Sequence, residues 1–312
     1  MDFTSDLLMN SDSNLKSGFA TMVGRPNVGK STLLNYIMGQ KLAITSNKPQ
    51  TTRKKIRAVL TEEGKGQIVF LDTPGIHKSK SKLGNYMSQV VKGAVSDVDV
   101  VIWLVEPKLP IHKEDKEIAK VLEKVDKPVI LGVNKIDMIK KDVLQEVLSA
   151  YQSLAPYASI YPFSARSGKG IELLMEGLYE RLPYGPFYYD PEEYTDQTER
   201  QLVCEIIREK SLHALRDEIP HGIAVTVESM KERKNKPIVD IEATIICEKD
   251  SHKGIIIGKG GAMLKKIGSN ARFEIERMLD MKANLQIHVK VKKDWRDNIG
   301  VLKSLGYTED EE

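Results

Sequence analysis

Residues 24–31, Gly-Arg-Pro-Asn-Val-Gly-Lys-Ser, fit the pattern Gly-x-x-x-x-Gly-Lys-Ser, whose residue types could bind phosphate. The glycines let backbone N–H groups close around a phosphate chain, Lys30 adds a positive charge, and Ser31 can place its hydroxyl on Mg²⁺. The helix expected next adds the positive end of its dipole. A glycine-rich turn between a strand and a helix would fit the same residues. The candidate phosphate contacts are Gly24, Asn27, Val28, Gly29, Lys30, Ser31 and Thr32.

A second motif, Asp72-Thr73-Pro74-Gly75, follows the apolar run at residues 68–71. A carboxylate at this point can hold Mg²⁺ through a water molecule, and the N–H of Gly75 can reach a γ-phosphate. The same four residues also make a good turn, so alone they are weak evidence. We count all four as candidate contacts of a nucleotide because of the motifs that follow.

Two further motifs could recognise guanine. In Asn134-Lys135-Ile136-Asp137, the Asp137 carboxylate can accept from guanine N1 and N2 together, where adenine has no matching donors. Asn134 can meet the base edge, and the stem of Lys135 can cover the ring. The N–H groups of Ser164-Ala165-Arg166 can face guanine O6. Each motif alone also fits a cap or turn, but four in this order, each after a predicted strand, favour a guanine-nucleotide site.

The elements that would position these motifs alternate between strands and helices from residue 19 to 182. This alternation predicts an α/β fold with a mostly parallel, doubly wound sheet and helices on both faces. Ligands of such sheets bind beyond the carboxyl ends of the strands, where the motifs lie. The predicted strands cover residues 20–23, 56–60, 68–71, 100–105, 129–133 and 160–163, and the predicted helices cover residues 31–38, 85–95, 113–124, 140–154 and 171–181.

A second unit follows a stretch rich in proline and tyrosine. Its pattern predicts the order α-β-β-α-α-β, with a long helix at 197–216 and strands at 224–231 and 238–246. A glycine loop within residues 254–268, a helix near 270–279 and a strand at 285–291 complete it. Past Trp295 we expect a short amphipathic helix and then an acidic end.

The segment Gly258-Lys259-Gly260-Gly261 matches the Gly-x-x-Gly loop of KH domains, whose bare backbone approaches the phosphates of about four nucleotides. Nearby lysines add charge, and the isoleucines at 255–257 could form the floor of an apolar groove for unstacked bases. A tight turn between helices with a solvated lysine face is the alternative. The order of elements resembles the α+β type II KH fold and favours an RNA site. Candidate RNA contacts are Gly254, Ile257, Gly258, Lys259, Gly260, Gly261, Lys265 and Lys266.

The composition of the 312 residues is that of a globular protein, with 41% hydrophobic and 29% charged residues and a net charge of +3. Two cysteines without a Cys-x-x-Cys pair make a disulfide framework or zinc site unexpected and favour a reducing cytosol. The longest apolar run, at residues 100–105, is far shorter than the ~20 residues of a membrane span. We expect a flexible leader at 1–17, a nucleotide domain at 18–182, a linker at 183–196, an RNA-binding domain at 197–305 and an acidic tail at 306–312.

Residues 19–182 resemble the P-loop GTPase domain of translation-factor-type small GTPases, and Pro49-Gln50-Thr51-Thr52-Arg53 resembles the first switch of Era-type GTPases. The resemblance implies that a switch threonine, Thr52 or alternatively Thr51, ligates Mg²⁺ together with Ser31 and Asp72. It also implies GTP hydrolysis to GDP that involves Lys30, Asn27, Thr52 and Gly75.

Two positions bear on the rate and ion requirement of that hydrolysis. Ras-like proteins place a water-orienting glutamine after Asp-x-x-Gly, but this chain has Ile76, so slow intrinsic turnover is expected. The next residue, His77, is expected to be exposed and not catalytic. Asn27 resembles the asparagine with which related GTPases hold a potassium ion.

Nearly the whole chain resembles the family of Era-type GTPases with a C-terminal type II KH domain. The resemblance implies a mainly monomeric, cytoplasmic ribosome-assembly factor that binds the single-stranded 3′ end of 16S rRNA on the small (30S) subunit, with possible peripheral contact to the cell membrane. A GTPase for tRNA modification or membrane signalling is the second hypothesis, although its extra modification domain or GTPase repeat is not seen. An RNA-binding scaffold with a decayed GTPase domain is the third, against which the intact Lys30, Ser31, Asp72 and Asp137 argue.

Overall fold

The structure is a computed structural model of the chain and describes residues 14–45, 56–72, 97–216 and 219–305. The chain forms two compact units, one ending at Asp196 and the other continuing from Gln197. The helix predicted at 85–95 and the acidic end at 306–312 lie outside the described residues.

The first unit is built around a six-stranded sheet in the order β2-β3-β1-β4-β5-β6. Strands β1, β3, β4, β5 and β6 pair in parallel, and only the edge strand β2 runs antiparallel, to β3. The predicted mostly parallel α/β sheet is therefore confirmed. The strands are β1 Lys16–Gly24, β2 Ile56–Glu62, β3 Gly66–Asp72, β4 Val100–Val105, β5 Val129–Val133 and β6 Ser159–Pro162, and the helices are α1 Lys30–Met38, α2 Lys113–Leu122, α3 Lys141–Leu154 and α4 Ile171–Arg181.

Helices cover both faces of this sheet, so its central strand β4 is apolar throughout. Ile102 and Leu104 pack into the core that α1 and α4 complete. Trp103 and Val105 face the opposite core, which α2 and α3 complete. Because both faces are buried, β4 reads as a continuous apolar run and not as an alternation.

Strand β1 begins at Lys16, two positions within the segment expected to be a leader at residues 1–17. The N–H of Ser17 donates to the carbonyl of Pro183 (3.0 Å), and Lys16 pairs with Gly66 of β3. Pairing with β3 extends the strand beyond the apolar residues from which its start was predicted.

The segment after α4 lies along the edge of the same sheet. The Gln67 side-chain oxygen accepts from the N–H groups of Tyr188 (2.8 Å) and Tyr189 (2.9 Å). Thr195 forms an antiparallel bridge with Ala58 of the edge strand β2. The N–H of Val59 on β2 donates to the carbonyl of Tyr194 (3.0 Å), so the segment caps part of an edge whose backbone groups would otherwise be unpaired.

The second unit has the predicted order α-β-β-α-α-β, with a three-stranded sheet β7-β8-β9. β7 pairs antiparallel and β9 parallel with the central β8. Helices α5 and α7 cover one face through a core that includes Val203, Ile207, Ile267 and Ala271. The elements are α5 Glu199–Ala214, β7 Ala224–Glu232, β8 Ile238–Cys247, α6 Asp250–Ile257, α7 Ala262–Leu279, β9 Lys282–Val291 and α8 Ile299–Ser304.

The glycine loop expected within residues 254–268 lies in that range but is shorter than it, with a helix on either side. Helix α6 runs to Ile257 and α7 already begins at Ala262, so that only four residues connect them. Gly268 lies inside α7, where a Cβ would come 3.6 Å from Ile287 Cδ1. A single glycine inside α7 thus does not interrupt this helix, despite its low helix propensity.

Candidate functional site

The Gly24–Ser31 segment connects the end of β1 to the start of α1, as its pattern predicts. Gly24 has φ 151°, and a Cβ there would lie 2.4 Å from the carbonyl oxygen of Leu104. Gly29 has φ 105°, and a Cβ would lie 2.2 Å from Asn134 Nδ2. Both positions require glycine because of backbone conformation and close approach. The loop thus forms a cradle of backbone groups at the carboxyl end of the sheet.

Lys30 folds back over this loop. Its Nζ donates to the carbonyls of Gly24 (3.1 Å) and Arg25 (3.2 Å), and the residue is 8% exposed. Ser31 and Thr32 follow in the first turn of α1, whose backbone N–H groups lie at the positive end of the helix dipole. The lysine charge and these N–H groups therefore converge on the same place, which suits a phosphate chain.

Asn134, at the end of β5, ties three of the motifs together. Its Nδ2 donates to the carbonyl of Val28 (2.8 Å), and its Oδ1 accepts from the N–H of Ala165 (2.9 Å). The residue is only 2% exposed. The sequence suggested a contact with the base edge but did not reveal these links to the loop and to the Ser164-Ala165-Arg166 motif.

Lys135 is also bound to the loop. Its Nζ donates to the carbonyl of Asn27 (2.7 Å) and forms a short ion pair with Glu106. Burial alone would raise the pKa of Glu106, but hydrogen bonds from Lys135 and Lys108 lower it below its usual value. Glu106, directly after β4, was not singled out from the sequence. Its position directly after a strand could have identified it, because every other nucleotide motif also follows a strand.

The guanine motifs occupy the expected strand ends. Asp137 is exposed on a short 3₁₀ turn after β5, and Arg166 is exposed after β6. The N–H of Ser164 donates to the carbonyl of Lys169 (2.9 Å), and that of Ala165 donates to Asn134. The Ser164 and Ala165 N–H groups are thus bonded to Lys169 and to the Asn134 side chain, and their contact with guanine O6 stays a prediction.

The metal-binding residues are described only in part. Ser31 opens α1, and Asp72 ends β3, whose neighbour β1 leads into the loop. A hydroxyl and a carboxylate with phosphate oxygens and water suit Mg²⁺, which prefers oxygen ligands and retains water. The donor set therefore fits this ion. Outside the described residues lie the predicted contacts Thr51, Thr52, Thr73, Pro74 and Gly75, together with Ile76 and His77.

The second candidate site is the connection between α6 and α7. Gly258, Gly260 and Gly261 all have positive φ, of 73°, 59° and 79°. A Cβ on Gly258 would lie 2.7 Å from Met263 Cβ, whereas one on Gly260 or Gly261 would meet nothing within 4 Å. Gly260 and the side chain of Lys259 are exposed. The connection therefore presents bare backbone and a positive charge to the solvent.

A groove of about 300 Å³ begins at this connection and runs between α7 and β9. Leu264, Leu285 and Ile287 supply apolar surface, while Lys265 and Arg272 supply positive charge. Neither Arg272 nor the two β9 residues was predicted to form this site. The alternation of β9 places Leu285 and Ile287 on one face, and that was the available signal.

Three predicted RNA contacts do not line this groove. Lys266 is exposed on α7, and Gly254 is exposed one turn before the end of α6. Ile257 is half-buried. Ile256, expected in the floor of the groove, is fully buried in the core of the second unit, which corrects that prediction. Helix α6 turns this side chain inward, opposite to exposed Ile255.

Along residues 14–45, 56–72, 97–216 and 219–305, no helix is long and apolar enough to cross a bilayer.

Two family models match the chain. One, described as a 50S ribosome-binding GTPase, matches residues 19–135, and the other, a KH domain, matches residues 218–296. GTPase Era of Alkaliphilus metalliredigens is 52% identical over 292 residues, covering 94% of this chain and 99% of that protein. GTPase Era of Clostridium botulinum (strain Eklund 17B) is 54% identical over 292 residues, covering 94% of this chain and 98% of that protein.

Two solved structures resemble the whole chain. A single-residue variant of Aquifex aeolicus Era, bound to GDP and aluminium tetrafluoride, has a TM-score of 0.91 at 35% identity and covers 95% of this chain and 100% of its own. Era in complex with MgGDPNP and nucleotides 1506–1542 of 16S ribosomal RNA has a TM-score of 0.91 at 36% identity, with the same coverage. These likenesses extend over both units of the chain.

Proposed function

The chain belongs to the family of the GTPase Era and hydrolyses GTP with Mg²⁺, and we propose that it assists assembly of the small ribosomal subunit by binding the 3′ end of 16S rRNA. The observation that carries this proposal is the open Gly258–Gly261 connection with its charged groove, in a chain that resembles an RNA-bound Era. We divide the chain into a GTPase domain that begins with β1 at Lys16 and extends to residue 182, a linker at 183–196 and a KH domain at 197–305.

In the GTPase domain, the loop at residues 24–31 holds the phosphates and Asp137 reads the guanine. Lys30 neutralises phosphate charge, and the position of its Nζ over the loop, bonded to the carbonyls of Gly24 and Arg25, supports this role. The bound metal would supply charge neutralisation between the phosphates, with Ser31, Asp72 and Thr52 (or Thr51) around it. Asp72, Thr73, Pro74 and Gly75 complete the γ-phosphate side. Since Ile76 cannot orient water, intrinsic turnover is slow.

Asn27 is proposed to favour a potassium ion beside the phosphates. Asn27 is exposed and has φ 66°, a conformation that few residues other than glycine adopt. Turnover should therefore be faster in potassium buffer than in sodium buffer, and an Asn27→Ala variant should lose the difference. Equal turnover of the parent protein in both salts would exclude this role.

In the KH domain, single-stranded RNA lies along the groove between α7 and β9. The phosphates meet Gly258–Gly261 and Lys259, while Lys265 and Arg272 add charge and Leu285 and Ile287 give the bases apolar surface. A groove that binds about four nucleotides would hold only part of a longer RNA. The small subunit is preferred to the large one because 16S rRNA belongs to the small subunit. The 50S description, by contrast, comes with a family model that ends at residue 135.

We propose a cytoplasmic, mainly monomeric protein with peripheral membrane contact as a secondary property. GTP would order both switches, and hydrolysis would release them and change RNA binding. The deciding experiment measures GTP turnover in potassium buffer with and without a short RNA of the 16S 3′ end. RNA should accelerate turnover of the parent protein but not of a Gly260→Asp variant. Turnover of the parent that is indifferent to this RNA, together with no binding of it, would contradict the proposed target.

A further inference from the structure

Arg25, the second residue of the phosphate loop, is directed away from the loop to a buried carboxylate on α2. The Arg25 Nε donates to Asp115 Oδ1 at 2.9 Å. From this geometry we infer that Asp115 is a positioning residue of the nucleotide site, acting through Arg25. The inference rests on the proposed assignment of residues 24–31 as the loop that holds the phosphates.

Asp115 is enclosed from two sides. The residue is 0% exposed, and the side chain of Arg25 is 14% exposed. The second carboxylate oxygen, Oδ2, accepts from the hydroxyl of Tyr151 on α3 at 3.2 Å. Both carboxylate oxygens are thus bound, Oδ1 to Arg25 of the loop and Oδ2 to Tyr151 of the helix behind it.

Packing and helix capping do not require a buried charge at this position, and the dipole of α2 already has Glu114 in the same first turn. The neighbouring residues on the same face of α2, Ile118, Ala119 and Leu122, all pack into the apolar core. The N-terminus of α2 is already capped by His112, whose Nδ1 accepts from the N–H of Glu114. A buried carboxylate is costly unless paired, and an apolar residue would often serve the fold as well. The pair therefore points to a role in holding Arg25.

Residues 25–27 of the loop need side-chain contacts that keep their backbone in place. Asn134 and Lys30 bind carbonyls of Val28, Gly24 and Arg25 from within the site. Between these points the chain passes through Asn27, which has a left-handed backbone with φ 66°. Lys135 holds the Asn27 carbonyl from one side, and the Arg25–Asp115 pair holds the chain two residues earlier. Together they keep residues 25–27 in one conformation.

Loss of the pair should release nucleotide faster. Backbone N–H groups bind phosphate well only when they are fixed in advance, so a loop that relaxes loses contacts with the bound nucleotide. We expect Arg25→Gln and Asp115→Asn each to accelerate dissociation of a fluorescent GDP analogue about tenfold. The double variant should dissociate no faster than either single variant, because both break the same link. Tyr151→Phe, which leaves the bond to Arg25 intact, is the matched control and should remain near the parental rate.

The sign of the Asp115→Asn effect separates this role from a direct one for Arg25. If Arg25 merely supplied charge to the phosphates, freeing it from Asp115 would slow dissociation or leave it unchanged while Arg25→Gln accelerated it. That pair of results would overturn the inference. Parental dissociation rates in both variants would overturn it as well.

An apolar double variant separates positioning from folding. Arg25→Met combined with Asp115→Leu replaces the buried pair by apolar side chains, which commonly preserves stability. This variant should keep the parental denaturation midpoint without nucleotide and still release GDP about tenfold faster. A stable double variant with the parental rate would refute the inference. Lys30→Ala tests the loop assignment separately, since it should remove GDP binding altogether.

Discussion

At the scale of single residues, the acidic groups around the loop have distinct tasks. Asp137 is exposed at a strand end and is suited to meet a ligand. Glu106 is largely buried and bound to Lys135 and Lys108, so its carboxylate serves the protein itself. The first kind of group was identified from its motif. The second kind was not, because its partners are distant in sequence.

The base-reading role of Asp137 predicts a change of nucleotide. In Asp137→Asn an amide replaces one acceptor by a donor, which no longer matches guanine N1 and N2 but matches xanthine. We expect GDP affinity to fall at least about a hundredfold and xanthosine diphosphate to be preferred. Equilibrium titration with both nucleotides measures this. Asp142→Asn, on the exposed first turn of α3, is the control, and retained guanine preference in Asp137→Asn would refute the assignment.

The ion pair of Glu106 predicts a pH-dependent stability. Its pKa in the folded protein lies below the usual 4.5, so its stabilising effect is complete above that value and disappears as pH falls through the lowered pKa. Glu106→Gln should cost about 1–3 kcal/mol in the free energy of unfolding at neutral pH, and the difference from the parent should shrink in acid.

Chemical denaturation at a series of pH values, followed by circular dichroism, measures this difference. Glu117→Gln, on the exposed face of α2, should behave like the parent protein throughout. A constant difference between Glu106→Gln and the parent at all pH values would show that the charge of Glu106 is not what matters.

At the scale of elements, both candidate sites lie where a glycine connection meets the start of a helix. The loop at 24–31 leads from a strand into α1, and the connection at 258–261 leads from α6 into α7. In each site a neighbouring residue leaves no room for a Cβ on one glycine. Asn134 does so at Gly29, and Met263 does so at Gly258. The KH connection differs because Gly260 and Gly261 face open space, and it is therefore more accessible to a polymer.

This difference selects Gly260 as the cleanest test of RNA binding. Its φ of 59° and ψ of 23° suit asparagine and aspartate better than most residues, and a Cβ would meet nothing within 4 Å. Gly260→Asp places a negative charge beside the proposed phosphate path and should weaken RNA binding about tenfold or more, while GTP turnover without RNA is retained. The change in affinity is read by fluorescence anisotropy of labelled RNA.

Gly260→Asn is the matched control, of nearly the same size but uncharged. It should bind RNA considerably better than Gly260→Asp. If both variants bound RNA like the parent, the connection would not lie on the RNA path. Gly258→Asp is less informative, because its Cβ would collide with Met263 and disturb the start of α7.

At the scale of the whole molecule, two units with separate cores carry the two chemistries. The core of the second unit is formed by α5, α7 and the β7-β8-β9 sheet, and the first unit has a core on each face of its own sheet. Separate cores allow each unit to keep its fold when the other changes state. A nucleotide-dependent switch between the units must then change the range of motion of one unit and leave its fold unchanged.

Coupling between the units predicts nucleotide-dependent RNA affinity. The affinities for the 16S 3′-end RNA with GDP and with a non-hydrolysable GTP analogue should differ by about fivefold or more. Titration of labelled RNA against the protein saturated with each nucleotide measures the ratio. By linkage, RNA should change the relative affinity for the two nucleotides by the same factor. Equal RNA affinities in both states would contradict the coupling.

Local patterns in the sequence were sufficient to predict the fold class and to locate the four nucleotide motifs. Alternating strands and helices fix a mostly parallel sheet, and a motif directly after a strand lies at its carboxyl edge. For the same reason the Gly-x-x-Gly connection could be located within its α-β-β-α-α-β order. The predictions were wrong where tertiary packing sets the structure, as for the length of α7 and for the burial of Ile256.

The tertiary structure alone decided which groups meet within each site. Asn134 binds Val28, Asp115 binds Arg25, and β9 supplies one wall of the groove beside α7. These partners are distant in the chain, and their side chains carry no pattern that names the other member. Such contacts depend on the register and packing of whole elements, which no local periodicity specifies.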